Sequence, residues 1–149
     1  MDVASLRRLR DEWFFASWRM CRLLNDVAGP ICQRNGLTLQ QMHVLAELSR
    51  SPGLTAGCLS DRAGILRTNF AAVCRKLEEK GLVERARKDG DRRAYSLRVT
   101  SEGHRVLTVI EEDIVAVLDC TFGEVPPEAV RSALDGIQAL NALMQRMEA

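Results

Sequence analysis

Residues 67–93 hold the side chains best suited to gripping a polyanion. Arg67, Thr68 and Asn69 stand together, Arg75 and Lys76 follow, and Arg87, Lys88, Arg92 and Arg93 flank an Asp-Gly pair. Guanidinium and ammonium groups donate to phosphate oxygens, and Arg and Asn can also make paired hydrogen bonds to base edges. Asp91, acidic among these cations, is placed to orient a neighbouring arginine rather than to meet a phosphate. Nothing comparable points to catalysis. There is no Gly-rich phosphate loop, HExxH or CxxC, and His43 and His104 are too isolated to suggest a triad. Glu111, Glu112 and Asp113 read as a solvated helix flank. An enzyme is not expected, and no cofactor is implied.

The charge distribution singles out the same stretch. The whole chain of 149 residues is nearly neutral, at +1. Residues 1–54 carry +2, residues 55–100 carry +5 and residues 101–149 carry −6. A basic middle on an otherwise neutral-to-acidic body predicts a localised polyanion surface. With 46% hydrophobic and 28% charged residues, the composition is that of a globular chain rather than a disordered one. No apolar run is long enough to span a membrane, and the first ten residues carry no secretory h-region, so the cytoplasm is the expected compartment. Five scattered cysteines without CxxC spacing read as free thiols.

The elements that must position the basic residues follow from hydrophobic spacing. Leu6, Leu9, Trp13, Met20, Leu24, Val27 and Ile31 predict a long helix over 5–34, with Ser5 as N-cap, a kink at Gly29-Pro30 and a stop at Asn35-Gly36. Thr38 and Gln41 form a capping box for a helix to Arg50, with Val44, Leu45 and Leu48 inward and Met42 at the edge. Thr55 caps a short helix with Ala56, Leu59 and Ala63 inward. After a turn at Gly64, a helix from about Leu66 to Lys80 buries Leu66, Phe70, Val73, Cys74 and Leu77 and turns Thr68, Ala72, Arg75, Lys76 and Glu79 outward. Residues 82–86 and 94–99 then read as two strands of a hairpin with a basic tip. Two further helices cover about 101–121 and 127–147, the second with Val130, Leu134, Ile137, Leu140, Met144 and Met147 inward. The class is mainly α: a winged helix-turn-helix with a two-stranded β-hairpin wing and long terminal helices. A small middle domain cannot cover all the apolar stripes of those helices, so a second copy is expected to cover them, the alternative being packing within one chain.

The stretch Leu37 to Leu107 resembles the MarR family of bacterial transcriptional regulators. The likeness is carried by Gly36-Leu37-Thr38-Leu39-Gln40-Gln41, by Leu77 to Arg85, by Asp91-Arg92-Arg93-Ala94, and by Leu97-Arg98-Val99-Thr100-Ser101-Glu102-Gly103. Arg67-Thr68-Asn69 also looks like the recognition-helix start of the multidrug-efflux repressor branch. The resemblance implies a homodimer on a palindromic site in double-stranded DNA, with residues 1–36 and 101–149 as dimerisation helices and 37–100 as the DNA-binding domain. It implies repression relieved by a small aromatic or phenolic ligand. Arg67, Thr68 and Asn69 then fall on the recognition helix and Arg92 and Arg93 on the wing. Ala71-Ala72 departs from the polar pair common there and keeps alive a winged-helix interaction protein without base readout.

The trigger is read in two ways. Trp13, Phe14, Phe15 and Trp18 are four of the chain's seven aromatic residues, and Trp13 or Trp18 with Arg19, Met42 and His43 could wall a pocket for an aromatic acid. Core or dimer packing is the competing use of those rings. A thiol-based sensor is the other trigger and needs an accessible, low-pKa cysteine. Cys74 falls on a buried helix face, which favours packing.

Overall fold

The computed structural model describes residues 2–88 and 91–146, with the backbone alone over 87–88 and 91–95. The element order is α1 (Val3–Arg34), α2 (Leu39–Arg50), α3 (Ala56–Arg62), α4 (Arg67–Glu79), β1 (Val83–Lys88), β2 (Asp91–Val99), α5 (Ser101–Phe122) and α6 (Pro127–Gln145). Residues up to Ile114 form one compact unit and those from Val115 a second. No helix among the described residues is long and apolar enough to cross a membrane.

Local signals start most helices where spacing predicts. Thr38 and Gln41 make the reciprocal capping box of α2, and Thr55 accepts the Cys58 N–H to start α3. At α1 the prediction fails by three residues. Asp2, not Ser5, is the N-cap, and its carboxylate accepts the Ser5 N–H at 2.7 Å. A carboxylate caps well and also suits the positive helix end. The contact holds the Asp2 carboxyl below its ordinary value. α1 runs on through Pro30 and ends at Asn35, with Gly36 at φ 73°.

The first unit has one core. Leu45, Leu48, Val44, Leu59, Leu77 and Ile110 are fully buried, and α2 packs against α1, α3, α4 and β2. α3, the turn at 63–66 and α4 form the helix-turn-helix, and the antiparallel hairpin β1–β2 is its wing. Val83 lies opposite Val99, Arg85 opposite Leu97 and Arg87 opposite Tyr95, with a register irregularity between Arg87 and Lys88. Both strands run further toward the tip than expected. The Asp89-Gly90 turn and the Asp91 side chain lie outside the described residues, as does Met147.

Several inward assignments are overturned. Leu66 is 74% exposed because it is the non-helical N-cap of α4, at φ −54° and ψ 135°, where helical spacing does not apply. Ala56, first residue of α3, is also exposed, Ala63 is half-buried, and Ser60 is buried in their place. Ala72 is half-buried rather than outward, and Asp113 is half-buried beside Arg34 at 3.6 Å rather than freely solvated. The terminal stripes are exposed within their own units, and of them only the α6 residues are ones assigned inward. Leu6, Leu9, Met20 and Leu24 of α1 are exposed, as are Val117 and Leu118 of α5. In the second unit, Val130, Leu134, Ile137 and Met144 of α6 are exposed and Leu140 is half-buried.

Candidate nucleic-acid interface

The turn between α3 and α4 is held from both sides. Ser60 is buried and donates through Oγ to the Ile65 carbonyl at 2.8 Å, while Ile65 N–H donates back to the Ser60 carbonyl at 3.0 Å. Gly64 turns the chain at φ 62°, a conformation that costs glycine least. A buried hydroxyl paired to backbone is a rigid joint, since breaking it leaves an unsatisfied polar group. The start of α4 is therefore fixed relative to α3.

Arg67, Thr68 and Asn69 lie at that start and are exposed. The N-cap residue Leu66 makes no side-chain cap, and the first turn of α4 carries no acid. Such a helix end presents unpaired N–H groups and the positive pole of the helix dipole outward. Phe70, Val73, Cys74 and Leu77 anchor the opposite face in the core. Arg75 and Lys76 are exposed further along, Arg75 with Glu79 at 3.8 Å. Arg67 has its own acidic neighbour, Asp61 of α3, at 3.6 Å. Lys76, Asn69 and Ala72 border a crevice of about 230 Å³ shared with Thr38, Gln40 and Gln41 of α2. The backbones of Arg87, Lys88, Arg92 and Arg93 lie in the wing strands, and their side chains lie outside the described residues.

The wing root is tied to α4 and α5. Arg85 Nε donates to Glu78 at 2.8 Å. Thr100 N–H donates to the Leu82 carbonyl at 3.0 Å, and Thr100 Oγ1 donates to the Gly81 carbonyl at 2.7 Å and accepts from Gly103 N–H at 3.0 Å.

The residues expected to wall an aromatic pocket are not gathered by one chain. Trp18 and Arg19 are exposed, Trp13 is half-buried, and α1 is buried only at Ala28, Ile31 and Cys32. Trp18 precedes Ala28 by ten residues, about 15 Å of helix. Met42 packs against the core and His43 is exposed on α2. Phe14, Trp18 and Cys21 instead line a groove on α1 alone. A cavity of about 410 Å³ opens elsewhere, lined by Arg67, Phe70, Ala71, Cys74, Arg85 and Leu97 among others. Sequence spacing could not find it, because its wall comes from α3, α4 and both strands.

The two buried thiols are poorly placed for sensing. Burial pushes the Cys74 thiol up to about 11, Glu78 adding to the rise and Arg85 opposing it. Burial also raises Cys32. Cys21, Cys58 and Cys120 are exposed.

A family model described as MarR family matches residues 35–94. The homoprotocatechuate degradative operon repressor of Escherichia coli is 36% identical over 87 residues, which cover 56% of this chain and 59% of the repressor. The chain thus spans about three fifths of the length of the curated relative it matches. Among solved structures, the transcriptional repressor CouR bound to a 23-mer DNA duplex superposes with a TM-score of 0.73 at 27% identity, over 95% of this chain and 98% of that one. NadR in complex with 4-hydroxyphenylacetate superposes with a TM-score of 0.71 at 25% identity, over 85% of this chain and 89% of that one.

Proposed function

The chain belongs to the MarR family of transcriptional regulators, and on that premise we propose that it is a cytoplasmic repressor acting as a homodimer on a palindromic DNA operator. One observation carries the reading: a rigid turn presents the start of α4, with Arg67, Thr68 and Asn69 exposed and the helix end uncapped. This is the geometry by which a recognition helix enters a major groove, N-terminal residues first. Arg67 and Asn69 read base edges. Arg75, Lys76 and the wing residues Arg87, Lys88, Arg92 and Arg93 hold phosphates or the minor groove. CouR was solved on a DNA duplex, which supports this assignment.

The dimer reading rests on exposed apolar area. Stripes on α1 and α6 are too extensive for a monomer in water, and a second copy of the same chain is the natural cover. Residues 1–36 and 101–149 then serve as dimerisation helices and 37–100 as the DNA-binding domain. The release signal is a small aromatic acid. NadR was solved with 4-hydroxyphenylacetate, and the E. coli relative represses a homoprotocatechuate operon, so the chemistry fits two relatives. Within one chain the cavity bordered by Arg67 and Arg85 suits a carboxylate on an aromatic ring. Trp13, Trp18, Arg19, Met42 and His43 are the other pocket, one that a partner chain must complete.

Fluorescence anisotropy of labelled duplexes at several salt concentrations tests the proposal. Arg67→Ala is expected to flatten the preference between duplexes. Arg92→Ala is expected to weaken binding to all of them and to lower the salt slope by about 0.9 per chain. Addition of 4-hydroxyphenylacetate is expected to release the duplex. Full affinity in both variants would contradict the assignment of α4 and the wing.

A further inference from the structure

Asp61 is an acid placed unfavourably for its own helix. It sits one residue from the end of α3, where a negative charge meets the negative pole of the helix. Its side chain is 67% exposed and packs into no core. Its one described ion pair, with Arg67 at 3.6 Å, joins two side chains more than two-thirds exposed, and such pairs add little to stability. The contrast with Arg75 and Glu79 is instructive. Those two lie four residues apart on one helix, where exposed charge pairs commonly arise from helix geometry alone. Asp61 and Arg67 lie on different helices, and the Ser60–Ile65 hydrogen bonds keep them facing each other.

We infer that Asp61 is a specificity-determining residue that acts through Arg67, the inference resting on the DNA-binding reading above. Off its operator, the protein meets phosphates of any sequence. Asp61 neutralises Arg67 there and so withholds one cation from sequence-independent binding. On the operator, Arg67 turns to a base edge, and the carboxylate can keep accepting from a guanidinium N–H not used on the base. A guanidinium has five donors, so it can serve a base edge and a carboxylate together. Asp61 therefore lowers non-specific affinity more than specific affinity, and the ratio between the two rises.

The test uses the full chain, a duplex enriched by selection from a random pool, and an unrelated duplex of equal length. Asp61→Asn frees Arg67 for one more phosphate contact per chain. Such a contact steepens the plot of log K against log salt by about 0.9, which at 0.1 M salt is about an eightfold gain in non-specific affinity per chain. The enriched duplex is expected to gain less, so the specificity ratio falls. In an Arg67→Met background, Asp61→Asn is expected to shift neither slope nor ratio. A wild-type preference that survives Asp61→Asn with unchanged slope overturns the inference alone. An equal shift in the Arg67→Met background also overturns it, because Asp61 then acts by its own charge. A wild-type chain with no preference among duplexes overturns the DNA-binding reading, and this inference falls with it.

Discussion

Gly103, in the first turn of α5, joins the wing root to the helix that follows. A Cβ built there lies 2.2 Å from the Leu82 carbonyl oxygen and 2.7 Å from Val99 Cγ1. Ordinary contacts are longer by roughly 1 Å, so Gly103→Ala must push two backbone segments apart. The obstacle cannot swing aside like a side chain. The Leu82 carbonyl accepts the Thr100 N–H at 3.0 Å, and Leu82 N–H donates to the Leu77 carbonyl at 3.0 Å. Overpacking costs about 1–3 kcal/mol, and a clash with backbone belongs at the upper end. The helix propensity gained by alanine returns about 1 kcal/mol, leaving a net loss of about 2 kcal/mol. For a chain of this length that lowers Tm by about 4–8 °C. Circular dichroism melts at one fixed protein concentration measure it, since association, as proposed above, makes Tm depend on concentration. Gly136→Ala in α6 is the control. A Cβ there meets nothing within 4 Å, and the substitution is expected to raise stability by about 1 kcal/mol. A Gly103→Ala protein as stable as wild type, or stabilised like Gly136→Ala, would refute the close packing at this joint.

Leu66→Ser supplies the side-chain cap that α4 lacks, and a gain of about 1 kcal/mol is expected in denaturant unfolding, read as a higher midpoint with an unchanged slope. No gain would mean that Leu66 contributes something a hydroxyl cannot replace. With a thiol reagent at mildly alkaline pH, Cys58 is expected to react promptly and Cys32 and Cys74 only on unfolding; prompt labelling of Cys74 would revive the thiol-sensor reading. Asp2 has a lowered carboxyl in the folded chain, so its cap is complete above the ordinary value of 3.8 and is lost as pH falls through the folded value. The Ser5 amide resonance should move with that titration and not in Asp2→Asn, and an amide indifferent to acid would contradict the cap.

Periodicity sufficed for the order and type of the elements because each is local. The Thr38–Gln41 box, the Gly36 stop and the apolar faces of α2 and α4 are written in residues three or four apart. It failed where the deciding partner lies across a turn. Leu66 belongs to the joint and not to the helix, so extending the helical pattern to it buried a side chain that is exposed. Ser60, a polar residue outside the apolar pattern, is buried because its hydroxyl has the Ile65 carbonyl to bind. The exposed cations of α4, with Glu79 beside Arg75, are legible as one helix face, but the acidic neighbour of Arg67 is not. Asp61 meets Arg67 only through the geometry of the turn. The aromatic residues illustrate the same limit: Trp13, Trp18, Met42 and His43 are named by chemistry, and one chain alone does not gather them. Spacing shows that the stripes of α1 and α6 are apolar faces and not which surface covers them.

On the function proposed above, two copies of this chain present two α4 helices to a two-fold-symmetric duplex. Selection of duplexes from a random pool by the full-length chain, followed by the mass of the complex on the enriched duplex, tests it directly. An enriched sequence of two inverted half-sites about one helical turn apart, bound by two chains, is expected. A pool without an enriched motif, or a single chain on a single half-site, would contradict it.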